Sequence, residues 1–351
     1  MGGTFNPPHI GHEYLLSSMR PDFDKVIVIP TGDPPHKELD DGSASGEQRL
    51  AMAKAAFPDA EISDIEVRRA GKSYTADTIR ELMEYYPVAK FSLLMGDDMF
   101  RSLPKWYDYE WLSKNVTFIH QSREIVHASS TEVRELLPQR KGRELVSPDV
   151  YAYIVKHRLY GVKPDFDWLR QAAAPWYDAE RIPHIKGTEI AAVELAERWG
   201  ADVDDARTAA ILHDVTKKLD YENNLTLAEK YDIMTDVPEF EDKQVFHAIT
   251  GAAVAYHEFG VSEEIRGAIR WHTTGKANMT LLEKIIYLAD CIEETREYSD
   301  LAECRAFAFE NLDAALRRTM ERVLESVYRR GLKQNKYSIE AIEYLDSHGG
   351  L

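Results

Sequence analysis

The sequence predicts an α/β domain followed by an all-α domain, and three observations support that prediction. At 351 residues the chain exceeds the ~250–300 residues at which a single core usually stops growing. From Met1 to about Gly161, short apolar runs alternate with amphipathic stretches, which is typical of parallel strands joined by crossover helices. From about Asp165 onward, apolar residues recur at helical spacing and strand-like alternation nearly vanishes.

The elements of the first domain follow in a regular order. Apolar runs at 25–30, 91–95 and 116–119 predict buried strands, and the amphipathic stretch 48–57 predicts a helix. Gly and Pro in 161–164 are the residues expected at a domain boundary. We therefore expect one domain over residues 1–161 and a second over residues 165–340.

The second half contains helical patterns throughout. Ile190, Val193 and Ala196 would lie on one face of a helix, and similar spacing returns further along the chain. The helical tail at 312–327 would pack on its own domain or pair with a second subunit in a homodimer. Both alternatives stay open.

Composition limits the class of protein. A formal net charge of −17 argues against broad binding to nucleic-acid backbones, because a basic face supplies that affinity. Two cysteines, Cys291 and Cys304, are too few for a disulfide framework. Because no apolar run approaches the roughly 20 residues that span a bilayer, we expect no membrane association and a cytoplasmic location.

Widely spaced histidines and aspartates mark the second half. Imidazole and carboxylate groups drawn from several helices can bind borderline divalent metals inside a bundle. Two of the candidate sites end apolar stretches, where a buried charge needs a partner. Taken singly, each histidine could be an ordinary core or surface residue, and His257 is interpreted as one on a helix surface. The candidate metal ligands are His184, His213, Asp214, His247, His272 and Asp290.

The order His, His-Asp, Asp resembles the HD-domain phosphohydrolase superfamily, with His184, His213, Asp214 and Asp290 in its four defining positions. The two further histidines, and the run Tyr-Leu-Ala-Asp-Cys-Ile-Glu that ends the pattern, resemble the bacterial family that hydrolyses diadenosine tetraphosphate symmetrically to ADP. This resemblance covers roughly 165–340 and implies a dinuclear site bridged by Asp214. Iron is the metal it implies, and manganese, cobalt or zinc also suit these donors.

Two basic residues near this pattern carry alternative interpretations. Lys217 matches a basic position of that family, which implies a catalytic contact with a substrate phosphate, and Arg181 precedes His184 by three residues. Either residue could instead be a solvated cation, the usual state of exposed charges, and Lys218 keeps that alternative open.

The amino-terminal sequence carries a second motif. A glycine-rich turn from Gly2 leads into His9-Ile-Gly-His12 at the start of a predicted helix. Backbone amides and the helix dipole favour anions at such a point, and two imidazoles could stabilise phosphoryl oxygens as charge develops. The two prolines before His9 could equally mark a simple turn.

Five further segments, found at 30–37, 73–78, 96–98, 105–107 and 129–134, complete a resemblance to bacterial nicotinate mononucleotide adenylyltransferase, a Rossmann-like nucleotidyltransferase. The resemblance spans almost all of 1–161. It implies that His9 and His12 act on the phosphates of ATP, which binds with Mg²⁺. The substrate-binding residues it implies are Gly2, Thr4, Phe5, Lys37, Thr75, Asp98, Trp106, Tyr107, Ser130, Thr131 and Arg134.

Within that set, each group of residues has an implied role. Asp98 would lie beside the adenosine, and the amino terminus of the helix that begins near Ser130 would hold phosphate with Arg134. Trp106 would stack on the pyridine ring, and Thr75 and the Tyr107 backbone would contact the nicotinate carboxylate. Core packing is the alternative for Trp106 and the favoured interpretation for Trp111.

Two departures from the family separate the functional hypotheses. The first strand is absent before Gly2, and the path from 118–123 to Ser129, which contains Arg123 and His127, is short. We expect a bifunctional enzyme that makes nicotinate adenine dinucleotide and hydrolyses diadenosine tetraphosphate. The alternatives are that only the HD domain is active, on this or another phosphoester, with the first domain a degraded nucleotide-binding module, or that the chain is a nucleotide-sensing regulator.

Overall fold

The computed structural model describes residues 1–35, 39–120, 128–233 and 243–348. The chain divides into two compact units, Met1–Asp165 and Phe166–Leu351. The first unit is α/β and the second is helical. Among the described residues, no helix is both long enough and apolar enough to cross a membrane.

Strands and helices alternate in the first unit. The strands are β1 Gly2–Gly3, β2 Ile27–Pro30, β3 Glu61–Ile62, β4 Phe91–Met95 and β5 Val116–His120. The helices are α1 Ile10–Met19, α2 Gly46–Ala56, α3 Thr75–Tyr85, α4 Asp97–Ser102, α5 Tyr109–Asn115, α6 Ser130–Leu136 and α7 Pro148–Lys156.

All pairings among these strands are parallel. β2 lies between β1 and β3, and β4 pairs with β5 in a second sheet. The sequence predicted that the first strand is missing. In the structure, Gly2 and Gly3 form a short strand that pairs with Ile29 and Pro30. This short strand places the glycine turn directly at the edge of β2.

The three predicted strands of the first unit are present, and the predicted helix starts slightly earlier than its apolar pattern. Ser45 and Gln48 form a capping box, so α2 begins at Gly46. One apolar core joins α3, β4 and α5, through buried residues such as Ile79, Leu93 and Leu112. That core supports the carboxyl ends of β4 and β5.

The second unit consists of helices in the residues that the structure describes. They are α8 Phe166–Ala173, α9 Ile182–Trp199, α10 Val203–Leu212, α11 Tyr221–Lys230, α12 Lys243–Glu258, α13 Glu263–Trp271, α14 Leu281–Ile292, α15 Leu301–Glu310, α16 Leu312–Arg329 and α17 Lys336–His348.

Side-chain caps and small residues explain where these helices begin and how closely they pack. Five helices start at a side chain that accepts a hydrogen bond from its own first turn, which satisfies an otherwise unpaired amide. α9 packs against α10 and α14, and buried alanines on α9 and α10 allow a close approach. The capping residues are Asp202, Asp220, Ser262, Thr280 and Asn311.

Candidate active sites

Five helices of the second unit bring the six predicted metal-ligand candidates together. One side chain lies within α9, one within α12 and one in the last turn of α14. Two more directly follow α10, and one directly follows α13. Five are buried, and only the α14 carboxylate is partly exposed. The six residues are His184, His213, Asp214, His247, His272 and Asp290.

Asp214 lies at the centre of this cluster. Its Oδ1 is 3.0 Å from His247 Nε2 and 3.4 Å from His272 Nε2. Its Oδ2 is 3.4 Å from His213 Nε2 and 3.7 Å from His184 Nε2. The candidates therefore form overlapping groups, two of which share the Asp214 carboxylate, and within each group the ligand atoms lie within 4.8 Å of one another.

Hydrogen bonds on the far side of the rings fix how three histidines face the cluster. His213 Nδ1 lies 2.8 Å from the Ala210 carbonyl, and His272 Nδ1 lies 2.7 Å from the Ile269 carbonyl. Because a carbonyl only accepts, each Nδ1 carries the proton and each Nε2 presents its lone pair when the ring is neutral. His184 Nδ1 meets a carboxylate in the same way.

The donor set fits a divalent cation. His184 Nε2 and His213 Nε2 are 3.2 Å apart, and His247 Nε2 and His272 Nε2 are 3.3 Å apart. Buried Asp214 Oδ1 has no hydrogen-bond partner, although two ring nitrogens face it. Lone pairs that face one another in a buried site need a positive charge between them. Imidazole and carboxylate ligands suit borderline first-row metals.

Burial and neighbouring charges shift the pKa values in this cluster. Burial opposes ionisation of Asp214, but His213 and the other imidazoles hold the pKa of this carboxyl well below its usual range. For His213, burial is outweighed by Asp214, so its pKa is raised. Burial lowers the pKa of His247 to about 4. The carboxylates are charged, as metal ligands must be.

Three cations surround the two aspartates. Arg181 donates to Asp214 Oδ2 from Nε at 2.8 Å, and Arg296 Nε donates to the Asp290 carbonyl at 2.8 Å. Lys217 Nζ lies 3.3 Å from both ring nitrogens of His247. Lys217 is exposed to solvent. The surrounding protein atoms disfavour its charged form and lower its pKa, and this effect outweighs the nearby carboxylates of Asp214 and Asp290, which raise the pKa.

An open cavity of about 370 Å³ leads to Asp214. Its size falls in the range that holds small-molecule ligands. Charged side chains of both signs line the cavity, so it suits a polar, charged ligand. The lining residues are Tyr177, Asp178, Glu180, Arg181, Asp214, Lys217 and Lys218.

Glu293 and Arg296 belong to this site, although the sequence analysis did not single them out. Glu293 is fully buried, and its Oε1 lies 3.0 Å from His184 Nδ1. Burial opposes the charged form, but hydrogen bonds from Thr295 and His184 hold the pKa of Glu293 below its ordinary value. Both residues lie beyond the end of α14 at Ile292, so helical spacing from Asp290 does not mark them, and their closeness to Asp290 in the sequence is the signal that could have indicated them.

In the first unit, the predicted histidine pair lies at the start of α1. The rings of His9 and His12 are 3.8 Å apart between centroids. Gly11 N donates to His9 Nδ1 at 3.2 Å, and a Cβ at Gly11 would come within 3.0 Å of that ring. Glycine at this position therefore leaves room for the imidazole to fold back over the helix start.

The loop before this helix is held through Asn6. Arg134 Nη1 donates to the Asn6 carbonyl at 2.7 Å, and the Tyr160 hydroxyl donates to Asn6 Oδ1 at 2.8 Å. Ser130 Oγ donates to the Pro7 carbonyl at 2.8 Å. The start of α6 is thus fixed beside the predicted phosphate loop, with Thr131 exposed next to it.

Three further candidates, Gly2, Thr4 and Phe5, lie in the segment before α1. Phe5 is buried and packs edge-on against His12 at 5.0 Å, while Gly2 and Thr4 lie in the same segment. Their roles in substrate binding stay predictions.

The candidates for pyridine binding lie on α3 and between α4 and α5. Thr75 begins α3, the exposed Tyr107 ring lies 4.8 Å from the Tyr74 ring, and Trp106 Nε1 donates to Ser102 Oγ at 3.2 Å. Trp106 and Trp111 both pack against the apolar core as partly buried residues. This agrees with the favoured interpretation of Trp111, and the stacking role of Trp106 stays a prediction.

Some predictions fall outside what the structure describes. Lys37, Arg123 and His127 lie outside the described residues, as does the side chain of Asp98. Their predicted roles stay open. His257, interpreted as a surface histidine, is exposed on α12.

The first unit is an α/β fold with a glycine turn at the start of a helix, and the second is an all-α fold with a His/Asp cluster that could hold a metal ion. A cytidylyltransferase-like family model matches residues 1–193, and an HD domain model matches residues 181–295. The chain therefore belongs to the cytidylyltransferase-like family and carries an HD domain after it.

Similar proteins exist for both halves. A probable nicotinate-nucleotide adenylyltransferase of Oceanobacillus iheyensis is 38% identical over 183 residues, covering 46% of this chain and 95% of the relative. Its counterpart in Halalkalibacterium halodurans is 39% identical over 185 residues, covering 46% of this chain and 89% of the relative.

A solved structure resembles the other half. It is a predicted HD superfamily hydrolase involved in NAD metabolism from Clostridium acetobutylicum, 33% identical, with a TM-score of 0.50. The match covers 52% of this chain and 97% of that one. The order of the two families agrees with the predicted fusion.

Proposed function

We propose that the chain is a bifunctional enzyme of nucleotide metabolism, cytoplasmic as its sequence predicts. The first unit would transfer the adenylyl group of ATP, bound with Mg²⁺, to nicotinate mononucleotide, which gives nicotinate adenine dinucleotide and pyrophosphate. The HD domain would hydrolyse diadenosine tetraphosphate to two ADP. The observation that carries the hydrolase proposal is the convergence of six His and Asp donors on one buried centre.

The residues that would hold the metals are the six of that centre, with Asp214 shared between two groups. Two divalent ions there would neutralise charge on a phosphate and lower the pKa of water. Iron is proposed by family resemblance, and manganese, cobalt and zinc suit the same donors.

The cavity residues would bind the polyphosphate. Arg181 spans from the Asp214 carboxylate to the cavity, and Lys217 and Lys218 line the same space. Cationic donors form short, charge-assisted hydrogen bonds with phosphate oxygens. A polyphosphate entering the cavity would therefore be oriented with a phosphorus atom toward Asp214.

In the first unit, His9 and His12 would contact the ATP phosphates, and Arg134 with the start of α6 would hold them from the opposite side of the loop. The support is local geometry, since Ser130 and Arg134 both bond the segment that precedes His9. Catalysis would come from position and charge, because phosphoryl transfers of this kind need no protein nucleophile. The whole set of predicted substrate-binding residues belongs to this proposal.

The test measures both reactions on the full chain, with one variant in each unit. Wild-type protein loaded with Mn²⁺ should release ADP from diadenosine tetraphosphate, and His213→Ala should abolish that release while keeping dinucleotide synthesis. His12→Ala should show the reverse. His257→Ala, an exposed histidine on the same helix as His247, is the matched control and should keep both activities.

Each alternative predicts a different result. Hydrolysis without dinucleotide synthesis by the wild type would support a single active domain behind a degraded one. Metal-loaded, folded protein with neither activity would contradict the proposal and favour a nucleotide-sensing regulator. ADP release that survives in His213→Ala would show that the six-residue centre is not the hydrolase site.

A further inference from the structure

Glu293 is a buried carboxylate held in one orientation beneath the histidine–aspartate centre. It follows directly after α14, whose last turn carries Asp290. Its Oε1 lies 3.0 Å from His184 Nδ1 and accepts from Thr295 Oγ1 at 2.6 Å, and its Oε2 accepts from the Thr295 backbone amide at 2.6 Å. These donors leave the carboxylate little freedom to turn.

Gly187 provides the space that this carboxylate occupies. It lies one helical turn after His184 on α9, on the same face of the helix. A Cβ at Gly187 would approach Glu293 Oε2 to 2.3 Å, well inside van der Waals contact. Helix propensity alone favours alanine over glycine here, so the glycine is explained by the approach of Glu293.

We propose that Glu293 is a positioning residue that sets the tautomer and orientation of His184, and that Gly187 exists in α9 to admit it. An acceptor at Nδ1 keeps the proton on that nitrogen, so the Nε2 lone pair faces Asp290 Oδ1 at 3.1 Å and His213 Nε2 at 3.2 Å. Carboxylates placed behind a ligating imidazole also raise its basicity.

This inference rests on the proposed function, because it assigns a role toward the metal that the centre would hold. A purely structural role is the alternative, in which Glu293 only fastens the end of α14 through Thr295. The two roles differ in one measurable property. A positioning role changes metal affinity, whereas a structural role changes the stability of metal-free protein and leaves affinity as it was.

The experiment measures Mn²⁺ affinity of the full chain by titration, together with the Tm of metal-free protein. Glu293→Gln and Gly187→Ala should each weaken Mn²⁺ binding about 10- to 100-fold, the usual loss for such partners. Glu189→Gln is the matched control, since Glu189 is another buried carboxylate, which lies on α9 and pairs with Arg170 and Arg207. It should lower Tm and keep wild-type affinity.

A double variant separates the two residues. If Gly187 acts through Glu293, adding Gly187→Ala to Glu293→Ala should cost no further affinity. Wild-type affinity in both Glu293→Gln and Glu293→Ala, or an equal loss of affinity in Glu189→Gln, would overturn the inference while leaving the hydrolase proposal intact. Wild-type protein that binds Mn²⁺ with the predicted differences among variants but does not hydrolyse diadenosine tetraphosphate would support the inference and overturn only the substrate.

Discussion

Replacing Arg49 should unfold the first unit at a markedly lower temperature. Arg49 lies in α2 with 1% of its surface exposed, and it donates to four backbone carbonyls. Nε reaches Ala44 at 3.2 Å, Nη1 reaches Thr4 at 3.0 Å and also Thr31, and Nη2 reaches Gly32 at 2.8 Å. One side chain thus joins the glycine turn to the end of β2.

The size of the effect follows from these four bonds. A buried carbonyl that loses its donor costs about 1–3 kcal/mol, and the lower limit is appropriate because Arg49→Met also removes the cost of burying a cation. Four carbonyls give about 4 kcal/mol. For a unit of this size each kcal/mol lowers Tm by roughly 2–4 °C, so we expect a drop of about 8–16 °C.

Thermal unfolding followed by circular dichroism measures this change. Arg49→Lys should recover only part of the loss, because an ammonium group cannot reach four carbonyls in the directions that the guanidinium does. Arg68→Met is the control, since Arg68 is exposed in the same unit and pairs only with Asp64 in the contacts described. A Tm for Arg49→Met within about 2 °C of wild type would refute the reasoning.

Three other predictions concern metal, substrate and pH. Free Mn²⁺ at 100 times its Kd should stabilise the wild type by about 2.7 kcal/mol, and an equal gain in Asp214→Ala would contradict the metal site. Lys217→Met should lower kcat/KM for diadenosine tetraphosphate about 10- to 100-fold through a lost charged hydrogen bond, whereas an equal loss in Lys218→Met would indicate only general charge. Burial raises the pKa of Glu66 above 4.5, so the contribution of Glu66 to stability falls as pH rises from about 4.5 through this raised pKa. The Tm of Glu66→Gln relative to wild type should therefore be more favourable at pH 7 than at pH 4, and a pH-independent difference would refute this.

The sequence predicted those parts of the structure that local patterns determine. Apolar runs located β2, β4 and β5, because a buried strand needs consecutive apolar residues. The six metal-ligand candidates were found together because few residue types bind borderline metals and because Asp214 and Asp290 each end an apolar run. Neither inference required knowledge of which helices meet.

What the sequence did not predict depends on contacts between distant segments. Glu293 meets His184 across 109 positions, and no local pattern marks a carboxylate that supports a distant ring. Arg49 was indistinguishable from a surface cation of an amphipathic helix, since its burial results from loops that precede α2. The two-residue β1 was missed because Gly2 and Gly3 become a strand only beside β2.

Under the proposed hydrolase function, the charges that line the cavity predict that a polyphosphate would bind more tightly when the metal is present. Three cations there, Arg181, Lys217 and Lys218, face three carboxylates, which include Asp214, so the lining is close to neutral before any ion binds. A polyphosphate carries several negative charges. Two opposite unit charges 4 Å apart near a protein surface attract each other by about 4 kcal/mol, so a net attraction requires more positive than negative charge around the ligand. We expect a non-hydrolysable, methylene-bridged analogue of diadenosine tetraphosphate to bind at least about tenfold more tightly to Mn²⁺-loaded protein than to metal-free protein, measured by calorimetry. Equal affinity in the two states would contradict this prediction. It would mean that Arg181, Lys217 and Lys218 alone attract the phosphates and that the metal contributes nothing to binding.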